Sequence, residues 1–288
     1  VDPPTPRLGY EPALDGLRAV AVAAVMASHT TLPVPGGSVG VGVFFALSGF
    51  LISTLLLQEQ ERTGRIALGA FLLRRLLRLY PALLVLGIAL VLYVVVAPGP
   101  VRGQETIAGV LPALLYSSNW VRALGGLGYL GLLEHTWSLA VEEQFYLLWP
   151  VVLSATLIVT RRVAAVGVVA VGGCTASLAV RLSLAHDADS YGRIANGLDT
   201  QADNMLAGCA AAALVACTAR SDRSRSLVRR ASSWLVGPSA VVLAVAALRW
   251  PHHGDTDPVR TAMTVLAWPP ASWCCTCTWF RTASSPAC

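Results

Sequence analysis

Runs of about twenty apolar residues, joined by arginine-bearing links, recur along this chain of 288 residues. Eight such spans lie near 14–32, 39–57, 79–97, 138–159, 163–185, 198–219, 234–249 and 259–273, the last two being short. A helix rises about 1.5 Å per residue, so a run of about twenty crosses a hydrocarbon layer about 30 Å thick. Inside hydrocarbon every backbone N–H and C=O needs a partner within the protein, a demand that helices meet within one segment. The expected fold is therefore all-α: a polytopic transmembrane helical bundle of about eight spans. No repeat at solenoid spacing is visible.

Composition agrees. Hydrophobic residues make up 55% of the chain and charged residues 13%, and the mean hydropathy is +0.62. A soluble domain holds about twice that share of charge. Lysine is absent, so all 21 basic residues are arginines. Their excess would suit nucleic acid, but they flank apolar spans, where membrane topology requires positive charge. That excludes nucleic acid as a partner and makes the lipid bilayer one.

The links fix an orientation. Segment 58–78 holds Arg62, Arg65, Arg74, Arg75 and Arg78; Arg161 and Arg162 come after the fourth span; segment 220–233 holds Arg220, Arg223, Arg225, Arg229 and Arg230. The alternate links are poor in arginine. Positive charge stays inside, so the chain is expected in the plasma membrane with its N-terminus cytoplasmic. Residues 1–13 form a polar, proline-rich tail. No small-residue cleavage site comes after a short apolar core, so the first helix is expected to be retained.

Ionisable side chains inside spans cost free energy and are kept where they face a bundle interior or a wet cavity. Arg18 and His29 in the first span are eleven residues apart. That is almost three helical turns, so both fall on one face, about 16 Å apart along the axis. The orientation puts Arg18 toward the cytoplasm and His29 toward the outside. Before the third span, Arg75 and Arg78 share a face, either as positive-inside anchors or as an anion clamp. Pro81 falls near that span's start, where proline is tolerated. The fourth span opens HTWSLAVEEQFYLLWP. Helical spacing sets Ser138, Glu142, Phe145 or Tyr146, and Trp149 on one stripe. Adjacent residues point about 100° apart, so Glu142 is preferred over Glu143 as the acid sharing a groove with Ser138. Placed at the outer end with His29, Glu142 is a candidate to orient that imidazole. Asp199 and Asp203 lie one turn apart at the start of the sixth span, and either join the polar cavity or cap the helix.

Other features carry less. Gly40, Gly42 and the Ser48-Gly49 pair suit close helix packing. Segment 98–137 reads as a long external loop, with Tyr116, Trp120 and Tyr129 at the interface or stacked on a sugar. Cys174, Cys209 and Cys217 read as packing residues. His252 and His253, beside Asp255 and Asp257, read as a solvated turn. No metal pattern is present.

Taken in order, LDGLRAVAVAAVMASH, FFALSGFLIS, RRLLRLYP and TWSLAVEEQFYLLWP resemble the acyltransferase-3 family of integral-membrane O-acyltransferases over about residues 10–270. The resemblance implies an enzyme that moves an acyl group from acyl-CoA, acetyl-CoA foremost, to a hydroxyl of a glycan, a lipid or a glycosylated small molecule. It implies no bound cofactor. It makes His29 the catalytic histidine and Glu142 the acid of the fourth-span motif. Arg18, Arg75 and Arg78 serve the donor. Helical spacing, not the resemblance, offers Ser138, Tyr146, Asp199 and Asp203 in support. The alternatives are a glycan or lipid transporter, or an inactive remnant of the enzyme.

The sequence departs from that family in two places. Gln201 stands in TQAD where an arginine is usual. After Pro270 the chain reads ASWCCTCTWFRTASSPAC, where such proteins continue to about ten helices; Cys274, Cys275, Cys277 and Cys288 crowd this stretch. The expected organisation is a tail over 1–13, an incomplete transmembrane domain over 14–270 and an aberrant cysteine-rich tail, of frameshifted character, over 271–288.

Overall fold

A computed structural model describes residues 12–28, 37–97, 103–125, 130–219, 226, 227 and 230. Among these the chain is all-helical, without strands. The helices are α1 (Pro12–Ser28), α2 (Gly37–Thr63), α3 (Leu68–Val96), α4 (Gly103–Leu114), α5 (Ser118–Ala123), α6 (Thr136–Thr160), α7 (Val163–Leu184), α8 (Tyr191–Asn196) and α9 (Leu198–Thr218). Val39–Thr63, α3, α6 and α7 are each long and apolar enough to cross a membrane. These are the second to fifth spans read from the sequence, and α1 and α9 occupy the first and sixth. The last two expected spans, the cysteine-rich tail, His252 and His253 lie outside the described residues.

The described residues form two compact units. One takes those up to Ile66, those from Leu153 to Ala179 and those from Ala202 onward. Its core is Leu14 and Ala21 of α1, Val43, Leu47 and Phe50 of α2, and Ala211 and Ala212 of α9. The small residues of α2 act as their spacing suggested. A Cβ on Gly40 would come 2.7 Å from the Ala21 carbonyl oxygen, one on Gly49 would collide with the Met205 carbonyl, and one on Gly208 with that of Ala46. Backbone therefore meets backbone between α2 and α9 from both sides, which brings dispersion contacts without a side chain between. Helix α2 stops at Gly64, whose φ of +71° is left-handed and whose amide donates to the Gln60 carbonyl at 2.9 Å, as a glycine C-cap does.

The other unit takes Ala67–Val152 and Val180–Gln201. Helix α3 begins at Leu68, well before the apolar run near 79, because the arginine-bearing turns are as helical as that run. Pro81 therefore sits in the helix interior. Only one ladder hydrogen bond is forfeited there, and membrane helices tolerate such a loss. Leu83 and Gly87 are the buried residues of α3, while Leu77, Val85, Ile88 and Leu92 are exposed, as suits a helix solvated by lipid.

The expected external loop 98–137 instead carries α4 and α5. As the chain advances through α4 and just past it, its neighbours on α3 step backwards. Gly103 faces Val94, Val110 faces Gly87, and Tyr116 meets Tyr80 with ring centroids 6.4 Å apart. So α4 runs antiparallel to α3 and returns the chain toward the arginine end. Its buried face closes on Leu130 and Leu133, and the Leu132 amide donates to Thr106 Oγ1 at 3.1 Å. On the far side of the unit, Gly192 of α8 packs on the Arg122 carbonyl of α5. A fully buried Arg181 donates through Nε to the Thr200 carbonyl at 2.9 Å.

Candidate active site

Two turns into α3, Arg75 reaches the opening of α6. Its Nε donates to Glu143 Oε1 at 2.9 Å, and its Nη2 lies 3.5 Å from Glu142 Oε1. The guanidinium carbon stands 3.3 Å from the centre of the Tyr146 ring, and the Tyr146 hydroxyl donates to Glu142 Oε1 at 2.6 Å. The side chains of Arg75, Glu142 and Glu143 keep 22%, 7% and 12% of their surface exposed. One planar cation thus rests on an aromatic face while its edge serves two adjacent carboxyl groups, a task that suits arginine better than lysine. The arrangement also limits what Arg75 can do. A guanidinium matched by two carboxyl groups has no spare positive charge to offer a phosphate.

Next to Glu143, Gln144 holds the loop between α4 and α5. Its Nε2 donates to the Tyr116 carbonyl at 2.6 Å and to Asn119 Oδ1 at 2.8 Å, and its Oε1 accepts from Trp120 Nε1 at 3.1 Å. These bonds pin Tyr116 in a left-handed backbone conformation, φ 51°, which is costly for a residue with a side chain. The Tyr116 hydroxyl is buried without a hydrogen-bond partner among the described residues. Burial first, then the charge of Glu143, pushes its pKa up from the ordinary value, with Arg75 opposing. The phenol is therefore a neutral donor at physiological pH.

The other expected site residues are placed one by one. His29 and Tyr129 lie outside the described residues. Arg18 lies over the Phe44 ring at 5.4 Å, and Arg78 is exposed on α3. Ser138 turns its hydroxyl back to the His135 carbonyl at 3.3 Å, so the stripe begins at Glu142. Asp199 is held by Arg193, with Nε at 3.0 Å and Nη2 at 2.6 Å. Asp203, in the other unit, is buried and accepts from the Asn204 amide at 2.9 Å. The two aspartates thus have separate local partners. Among the described residues, Glu142 is bonded by Tyr146 and Arg75. The ion pair also puts Arg75 and Glu142 at one depth, so they do not stand at opposite membrane faces as the link charges suggested. Spacing alone does not mark Gln144, and Tyr116 reads from sequence as interfacial or stacked on a sugar. Helical phase favours Glu142 over Glu143, yet the guanidinium fork is wide enough to meet neighbours about 100° apart.

The profile of the acyltransferase-3 family, described as an acyltransferase domain, matches residues 11–283. The chain belongs to the acyltransferase-3 family. It is 35% identical over 210 residues to the peptidoglycan O-acetyltransferase OatA of Listeria monocytogenes, covering 70% of this chain and 34% of that protein. It is 42% identical over 154 residues to the O-acetyltransferase OatA of Staphylococcus aureus, covering 51% of this chain and 25% of that protein. The chain spans about a third of the length of the curated relatives it matches. No solved structure matches it with significance. Membership agrees with the apolar helices: this acyltransferase-3 chain is a multi-pass membrane protein.

Proposed function

We propose that this acyltransferase-3 chain is an O-acyltransferase of the plasma membrane that moves an acetyl group from acetyl-CoA to a hydroxyl of an envelope glycan or a related glycosylated acceptor. The observation that carries the reading is the family match over most of the chain, together with the ordered Arg18 and His29 pair. His29 takes the proton of the acceptor hydroxyl as its oxygen attacks the thioester carbonyl. The new C–O bond forms, the C–S bond breaks, and the thiolate leaves and recovers the proton. Arg18 and Arg78 meet the anionic groups of the donor. Arg75, already engaged by two carboxyl groups, acts by holding Glu142 and Glu143 in place. The arginine-rich links support a cytoplasmic N-terminus, on the side where acyl-CoA is made. Relatives named as O-acetyltransferases, one of them of peptidoglycan, support the acetyl group and a glycan acceptor.

The test is transfer in isolated membranes that hold this chain or its His29→Ala variant. Radiolabelled acetyl-CoA is supplied with soluble peptidoglycan fragments. Base-labile label on the fragments that depends on His29 supports the enzyme. Absence of label with both chains overturns it and leaves a transporter or an inactive remnant.

A further inference from the structure

Resting on that reading, we propose that Tyr116 and Glu143 form the subsite that receives the acceptor's hydroxyl face. The Tyr116 hydroxyl is buried and has no hydrogen-bond partner among the described residues. Its place is fixed from three directions. The Tyr80 ring packs against it, Gln144 holds its own carbonyl, and its backbone is held in a left-handed turn. A buried donor left unsatisfied is unfavourable, and nothing in the fold requires one here, since phenylalanine would fill the same space.

The groups around that donor decide the ligand class. Gln144, the neighbour of Glu143 on α6, bonds the Tyr116 carbonyl at 2.6 Å, which brings Glu143 to the Tyr116 turn, and Arg75 is matched by Glu143 and Glu142. An anion would find one donor and two carboxyl groups. An alcohol finds both partners it needs. Its lone pair accepts from Tyr116, and its O–H donates to Glu143, whose two oxygens offer about four acceptor positions of which Arg75 uses one. Carbohydrate carries such hydroxyls in rows, and the tilted rings of Tyr80 and Tyr116 offer an apolar surface for a sugar face. Tyr116 is thus a binding residue for acceptor and not for donor.

The measurement is a KM split in membranes holding the full chain, wild type or Tyr116→Phe, using radiolabelled acetyl-CoA and soluble peptidoglycan fragments. The expected result is an acceptor KM raised about tenfold, the worth of one hydrogen bond, with donor KM and chain level unchanged. An unchanged acceptor KM, or a rise in donor KM instead, overturns the subsite while leaving the transferase reading intact. Calorimetric binding of the same fragments to purified chain, without donor, separates the two failures. Binding that Tyr116→Phe weakens about tenfold supports the subsite even where no transfer occurs. Neither transfer nor binding by the wild type overturns both.

Discussion

Removing the Arg75 guanidinium is the sharpest test of the cluster at the head of α6. Arg75→Gln keeps much of the stem but leaves Glu142 and Glu143, 7% and 12% exposed, beside each other without their cation. The lost charge-assisted hydrogen bond at 2.9 Å is worth about 2 kcal/mol, and the lost stacking on Tyr146 about 1 kcal/mol. The sum, about 3 kcal/mol, matches what breaking one side of a buried ion pair costs. For a chain of this size that is a fall of about 6–12 °C in thermal midpoint. The assay is far-UV circular dichroism of the purified full chain in detergent. Arg78→Gln, one turn away and exposed, should stay within about 0.5 kcal/mol. The triple variant Arg75→Gln, Glu142→Gln, Glu143→Gln should regain most of the loss, because it leaves no buried charge unmatched. Equal falls for Arg75→Gln and Arg78→Gln would refute the reasoning, and so would a triple variant no more stable than the single one.

Helix packing, the Gln144 bonds and the Tyr116 phenol each give a separate expected outcome. Gly208→Ala should lower the midpoint strongly or prevent folding, since its methyl would meet the Ala46 carbonyl and the Phe50 amide, whereas Gly172→Ala, in open space, should hold or raise it by about 1 kcal/mol. Gln144→Leu strips partners from the Tyr116 carbonyl, Asn119 and the Trp120 indole at once; a loss of about 3 kcal/mol and a shifted tryptophan emission are expected. Burial raises the Tyr116 pKa, so in alkali the unfolded chain loses that proton first. The contribution is complete below about pH 10, the unfolded value, and is lost as pH rises through the folded value. Unfolding in denaturant at stepped pH should therefore show a shallower alkaline decline for Tyr116→Phe than for wild type.

The all-helical class and the positions of six long helices, four of them long and apolar enough to span, were legible because hydrocarbon imposes a length and a composition that a single sequence displays. The ends were less so. Hydropathy begins a span where charge stops, yet a helix needs only satisfied backbone, so α3 starts at Leu68 and takes Arg74, Arg75 and Arg78 with it. Within the site, phase along α6 correctly joined Glu142 to Tyr146 and Phe145 to Trp149, which are stacked at 5.9 Å. Phase could not reveal that a long side chain from another helix would gather Glu143 as well. Tyr116 was hidden for a different reason. An aromatic residue in a polar stretch between apolar runs reads as interfacial or as stacked on a sugar, and the sequence does not display the buried hydroxyl that motivates the proposed subsite.

Depth was the harder quantity, and it turns on α4. Counting spans treats 98–137 as lying beyond the membrane, which puts the start of α6 far from the start of α3. The steps Val94, Gly87 and Tyr80 along α3, met in turn by Gly103, Val110 and Tyr116, show the chain coming back before α6 begins. Gln144 then ties α6 to the returned segment, and Arg75 ties it to α3. The depth of Glu142 is therefore set by Arg75, not by the count of residues from an outer surface. The irregular backbone at Tyr116 is held by its bond to Gln144. The α6 carboxyl groups thus belong with Arg75 of α3.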